Sequence, residues 1–121
     1  MPKPPATRSP ASTRRSPCPL ACGLDIFGDR WTLLVVRDLV RGAERFKDFA
    51  ASPEGIPTNI LTDRLNRLVQ QGVVELTAAA DGSRHPAYRL TDKGQALKPV
   101  LASMRDWGLA WEKGTRTMAR A

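Results

Sequence analysis

The chain has 121 residues, 41% of them hydrophobic, with a formal net charge of +7 at pH 7. That length allows one small domain with little apolar surface to spare. The longest purely apolar run, Leu33 to Val36, is far below the ~20 residues a bilayer-spanning helix needs, and two cysteines argue against a disulfide scaffold and for a reducing cytoplasm.

Residues 1–17 are rich in Pro, Ser, Thr, Ala and Arg, without the apolar segment of a signal peptide, and read as a disordered basic tail. Lys3, Arg8, Arg14 and Arg15 all precede the first acid. Much of the positive excess therefore sits in the tail, and charge alone is weak evidence for a polyanionic partner.

Order is expected from Cys18, where Pro19 suits the first position of a helix and Leu20, Leu24 and Phe27 recur at i, i+4 and i+7 until Gly28. A second helix follows over Arg30 to Leu39, with Trp31, Leu34, Val35 and Leu39 inward and Arg41-Gly42 at its end. Phe46 and Phe49 mark a short third helix that stops at Pro53-Glu54-Gly55.

The stretch Ile56 to Gly72 carries the most information. Pro57 and Thr58 signal a helix start, with the threonine a candidate cap, and Gly72 signals the stop. Leu61, Leu65 and Leu68, widened by Ile60 and Val69, form a stripe that must be buried. The opposite face carries Asn59, Asp63, Asn66, Arg67 and Gln70, with Thr58, Thr62 and Arg64 on its shoulders. Such side chains suit base edges and phosphates, but any solvated helix face can look similar.

The following segment shifts the balance. Val73 to Thr77 reads as a strand, Asp81, Gly82 and Ser83 as a turn, and Tyr88 to Leu90 as the returning strand. Helix, turn, helix and then hairpin is the order of a winged helix-turn-helix, whose second helix enters the major groove while the hairpin lies on the backbone or minor groove. Thr91 caps an expected last helix in which Leu97, Val100, Leu101, Met104, Trp107 and Trp111 share one stripe, kinked at Pro99. That stripe is longer than so small a core can cover and alternates three and four, as a helix-on-helix seam does, so it reads as a homodimer interface.

Catalytic parts are scarce. His85 is the only histidine, placed in the hairpin tip, and Asp25, Asp29 and Asp38 are spread over expected helical surfaces. No triad, metal cluster or glycine-rich phosphate loop can be assembled, so neither an enzyme nor a bound cofactor is expected. Cys18 and Cys22 form C-P-L-A-C, unlike a C-x-x-C motif. A thiol at a helix N-cap, with Arg14 and Arg15 just upstream, is nonetheless placed to favour thiolate; the competing reading is two passive packing residues.

Taken together, several short motifs resemble the HxlR family of bacterial winged-helix transcription regulators, relatives of the MarR-like folds. They are Cys18-Pro19, G-D-R-W-T from Gly28 to Thr32, R-D-L from Arg37 to Leu39, Arg45-Phe46, Gly55-Ile56, and the Leu61, Leu65, Leu68 and Gly72 pattern. Y-R-L-T-D-K-G from Tyr88 to Gly94 and Arg105-Asp106-Trp107 complete the series. The resemblance implies a homodimer that binds operator DNA through two copies of the Ile56–Gly72 helix. It also implies, from several members, that the residue at Cys18 senses oxidants or electrophiles; Cys22 is not part of the family pattern. Lys47 in place of a capping Ser or Asn, Phe49 in place of leucine, and Pro86-Ala87 before the second strand depart from it.

The expected architecture is mainly α with a small β-hairpin wing: a tail over 1–17, a dimeric winged helix-turn-helix with a C-terminal dimerisation helix over 18–114, and a flexible tail over 115–121. The expected function is cytoplasmic, sequence-specific binding of double-stranded DNA at an inverted repeat, as a repressor with a candidate thiol response. Thr58, Asn59, Thr62, Asp63 and Asn66 are the candidate base readers, and Lys47, Arg64, Arg67, Arg84 and His85 the candidate contacts to phosphate or minor groove. The competing readings are a winged-helix module that docks on protein without reading DNA and, more remotely, a small enzyme or ligand-binding domain.

Overall fold

The computed structural model describes residues 14–78 and 85–118. Six helices and one hairpin follow in the order α1 (Pro19–Phe27), α2 (Thr32–Val40), α3 (Phe46–Ala50), α4 (Thr58–Gln70), β1 (Val74–Thr77), β2 (Ala87–Leu90), α5 (Asp92–Gln95) and α6 (Lys98–Trp111). Among the described residues no helix is long and apolar enough to cross a membrane.

α2 is the central post, in contact with α1, α3, α4, α6 and β2. Its Val35, Val36 and Leu39 meet Phe49 of α3, Leu61, Leu65 and Leu68 of α4, and Val73 and Val74 at the start of the hairpin. Leu61, Leu65 and Leu68 are fully buried, as their spacing requires. Each such side chain contributes about 1.5–3 kcal/mol relative to an exposed one. Trp31 and Leu34, expected inward, are only half-buried, and Val36 takes the place beside Val35 instead. Phe49 fits where a leucine was expected because its ring meets the edge of Tyr88, with centroids 6.0 Å apart and planes at 83°.

The ends of α4 follow from local chemistry. At its C-terminus Gly72 takes φ 74°, the Gly72 N–H donates to Val69 O (3.0 Å) and the Val73 N–H to Leu68 O (3.0 Å). This double closure needs a left-handed residue, and the buried Leu68 and Val73 accompany it. At the N-terminus the cap residue is Pro57, and Thr58 is already helical with no capping bond from its side chain. The expected threonine cap is therefore absent. At the start of α3 a cap comes not from position 47 but from Asp48, whose carboxylate accepts from the N–H groups of Glu44 and Arg45 at 3.0 Å each.

β1 and β2 pair antiparallel from Val74↔Leu90 to Thr77↔Ala87. Pro86 lies just outside β2, so its missing donor costs no bond within this ladder. The Tyr88 N–H reaches back to Glu44 O (2.8 Å), which ties the hairpin to the segment before α3. Residues 81–84, the expected turn and wing tip, lie outside the described residues, as do 1–13 and 119–121 of the expected tails. Of the remainder of those tails, the Ser16 hydroxyl oxygen accepts from the Cys18 N–H (3.1 Å), and Thr115 donates back to Glu112 O (2.7 Å).

The expected single C-terminal helix is two. Thr91 caps α5 as anticipated, its hydroxyl oxygen accepting from the Gly94 N–H (3.2 Å), but α5 ends at Gln95. Pro99 sits in the first turn of a new helix, α6. There proline's missing N–H has no intrahelical partner to lose, so the ring starts a helix instead of kinking one. A second difference concerns burial. Leu97 and Leu101 pack against the protein's own core, while Val100, Met104, Trp107 and Trp111 remain exposed. Leu20 and Leu24 of α1 are exposed as well, and only Phe27 of that expected stripe reaches the core.

Candidate nucleic-acid interface

α4 buries one stripe and presents the other. Thr58, Asn59, Thr62, Asp63, Asn66 and Arg67 are all exposed, and the spacing of Asn59, Thr62, Asp63 and Asn66 puts them along one side of the helix. Because three leucines anchor the back of α4, this side is held rigidly. The Thr62 hydroxyl donates to Thr58 O (3.0 Å), which leaves its lone pairs outward as acceptors. α3, with exposed Lys47, precedes α4 across the turn at Gly55, whose φ of 70° suits glycine. His85 is exposed at the foot of β2, whereas Arg84 lies outside the described residues.

Arg64 departs from the expected pattern of free cations. Its Nε donates to Asp29 Oδ2 (2.8 Å) and its Nη1 to Asp63 Oδ2, and only 17% of its side chain is exposed. Arg67 Nη1 lies 4.0 Å from the same Asp63 oxygen. These contacts raise the Arg64 pKa, with the Asp29 hydrogen bond the largest cause.

Asp29 itself is not on a helical surface, as expected, but in the corner between α1 and α2. It also accepts from the N–H groups of Trp31 (3.1 Å) and Thr32 (3.2 Å) and from the Thr32 hydroxyl. Partial burial pushes its carboxyl up, yet the bonds from Thr32, Arg64 and Trp31 outweigh that and bring it down to about 2.

A second brace holds the turn before α4. Arg37 of α2 donates from Nη2 to Glu54 Oε1 (2.7 Å) and Ser52 Oγ (2.8 Å), and from Nη1 to Glu54 Oε2 (2.8 Å). Its partner Asp38 accepts from Arg37 Nε (3.1 Å). The Arg37 hydrogen bonds hold the Glu54 carboxyl at about 2. Sequence reading missed both braces, because 35 residues separate Asp29 from Arg64 and 17 separate Arg37 from Glu54. The only local signal was Asp29 three residues before Thr32, a spacing suited to closing a helix start.

At the start of α1, Cys18 is the N-cap and exposed, while Cys22 is half-buried with its Sγ donating to Ser16 O (3.4 Å). Both are free thiols. Arg15 is turned to Asp25 and Ala21 O, so this cation, expected to support a Cys18 thiolate, is engaged by a carboxylate instead. Among the described residues no cluster of three or more His, Cys, Asp or Glu could hold a metal ion.

The family model for HxlR-like helix-turn-helix proteins matches residues 26–116. The chain belongs to that family. Among relatives of this HxlR-like chain, the HTH-type transcriptional regulator YvaP of Bacillus subtilis is 34% identical over 88 residues, covering 73% of this chain and 82% of YvaP. The HTH-type transcriptional regulator YodB of the same organism is 32% identical over 91 residues, covering 74% of this chain and 81% of YodB. Its reduced form superposes with a TM-score of 0.67, covering 84% of this chain and all of that one at 28% identity. The redox regulator HypR in its reduced form gives 0.71 at 26% identity, covering 79% of this chain and 95% of HypR. The HxlR-like chain is therefore a transcriptional regulator of helix-turn-helix type on a winged-helix fold.

Proposed function

We propose that this HxlR-like regulator binds double-stranded DNA sequence-specifically as a homodimer and acts as a repressor. One observation carries the reading: α4 offers Asn59, Thr62, Asp63 and Asn66 to solvent along one side while Leu61, Leu65 and Leu68 fix the other in the core. Amides, hydroxyls and a carboxylate on a rigid helix suit the donor and acceptor pattern of the major groove. Exposed Arg67, Lys47 and His85 supply phosphate contacts; Arg64, held by Asp29, acts from behind the face rather than on it. Two copies related by a two-fold axis would read an inverted repeat whose half-sites lie about 10 bp or a multiple apart.

Selection of binding sites from random duplex DNA at moderate salt tests this. An enriched inverted repeat is expected, with Asn59→Ala and Asn66→Ala relaxing its sequence and Arg67→Ala weakening all duplexes and flattening the salt slope by about one unit. A pool that returns no motif replaces this reading with the protein-docking module.

A thiol response is favoured by the exposed Cys18 at a helix N-cap. It is also supported by neighbours described as quinone-bound and diamide-treated YodB and as a redox regulator, HypR. Modification of Cys18 would act through α1, whose exposed Leu20 and Leu24 are available to the dimer seam.

A further inference from the structure

We propose that Asp29 is a positioning residue for base reading: through Arg64 it fixes the Asp63 carboxylate on the exposed side of α4, and so sets sequence preference. The inference rests on the DNA-binding reading above. Asp29 is immobilised first, by two backbone N–H groups and the hydroxyl of α2's opening turn. Oδ2, which accepts both of those N–H groups, also receives Arg64 Nε at 2.8 Å, and the Nη1 end of the same planar guanidinium then meets Asp63. An arginine side chain anchored at Nε loses most of its rotamer freedom, so its far end becomes a fixed donor. Arg67, four residues further along α4, has its Nη1 4.0 Å from the same Asp63 oxygen. The carboxylate is thereby held in one orientation and partly neutralised.

Both effects matter on DNA. An unpaired carboxylate facing a duplex is repelled by phosphates, whereas one whose charge is offset can accept from a cytosine amino group. A held carboxylate accepts in one place only. The low carboxyl pKa of Asp29, about 2, keeps the brace charged across ordinary pH. If Asp29 is neutralised, Arg64 is released to swing toward the backbone. Discrimination then falls while attraction to any duplex is kept or strengthened, a combination that loss of structure does not give.

The test compares wild type with Asp29→Asn, Arg64→Met and Thr32→Val. Each is measured for affinity to the selected operator and to a shuffled duplex at several salt concentrations, together with its melting temperature. For Asp29→Asn the operator-to-shuffled ratio should fall about tenfold, in the range one base contact is worth, with shuffled-duplex affinity undiminished and the salt slope steeper by about one unit. Arg64→Met keeps the Asp29 bonds to α2 and should lose the ratio without the steeper slope. Thr32→Val removes one donor to Asp29 but keeps the arginine pair, and should keep the ratio. A selective wild type whose ratio survives both Asp29→Asn and Arg64→Met overturns this inference alone. So does a fall in both affinities that tracks melting temperature across all three variants. A wild-type ratio near one overturns the sequence-reading proposal and this inference with it.

Discussion

Replacing Trp107 by glutamate should dissociate the proposed dimer by three orders of magnitude while leaving the fold intact. Trp107 is 61% exposed and Trp111 71% exposed on a helix without a single buried residue, and Leu20, 71% exposed, adds to the apolar surface on α1. A tryptophan presents up to about 250 Å²; the open part of Trp107 is then about 150 Å², worth about 4 kcal/mol when buried at ~25 cal/mol per Å². A two-fold interface uses each residue twice. Even if only half of the doubled figure survives the costs of association, about 4 kcal/mol remains, roughly a thousandfold in dissociation constant. Because Trp107 touches so little of its own core, far-UV circular dichroism should change little. Sedimentation velocity across a micromolar concentration series reads the mass directly. Wild type running at the mass of one chain throughout that series, or Trp107→Glu dimerising as tightly as wild type, would refute the reasoning.

Gly94→Ala should cost about 2–3 kcal/mol, since its Cβ would stand 2.3 Å from the Val73 carbonyl oxygen and 2.8 Å from Leu90 Cδ2; an unchanged urea midpoint would show that the backbone there can move. Acid should weaken the helix-turn-helix braces. Asp29 falls from 3.8, and Glu54 from 4.5, to about 2 on folding, so their stabilisation is full above the unfolded values and is lost as pH drops from about 4.5 toward 2. After solvent screening it amounts to about 1 kcal/mol each, and a stability profile that Arg37→Met and Asp29→Asn leave unchanged in that window would contradict it. Mild oxidation should alter operator affinity in wild type and not in Cys18→Ser, with Cys22→Ser separating an intrachain from an intersubunit product; unchanged affinity with both thiols modified reduces the cysteines to packing.

The architecture was legible wherever one local pattern had only one way to be satisfied. Leu61, Leu65 and Leu68 at i, i+4 and i+7, closed by Gly72, predict a helix with a buried back, and all three are buried. The hairpin was equally plain because strand periodicity begins directly after that glycine, and its strands pair from Val74 to Thr77. Position within a helix was harder to judge. Pro99 read as an interior kink because the apolar stripe from Leu97 to Trp111 continues across it, but periodicity does not register a break that preserves phase. Leu20 and Leu24 repeat as core residues do, yet a stripe only states that a face is apolar and leaves open which surface covers it.

Charged side chains were the least legible part of the interface, and for a single reason. On a helical wheel Arg64 sits on a shoulder of the polar face of α4 and Arg67 on that face itself, yet both are the same residue type and both read as phosphate contacts. What separates them is Asp29, remote in sequence and fixed in space by the first turn of α2, which takes Arg64 and leaves Arg67 44% exposed. An ion pair across the fold assigns one arginine to holding the helix and the other to solvent, a distinction composed of long-range geometry rather than residue chemistry. The same logic applies to Arg37, which would pass for a surface cation of α2 but instead holds the turn at Ser52 and Glu54 against α2. A reading face is thus defined as much by the cations withdrawn from it as by those it displays. For that reason substitutions at Asp29 and Glu54 should alter DNA recognition although neither residue lies on the exposed side of α4.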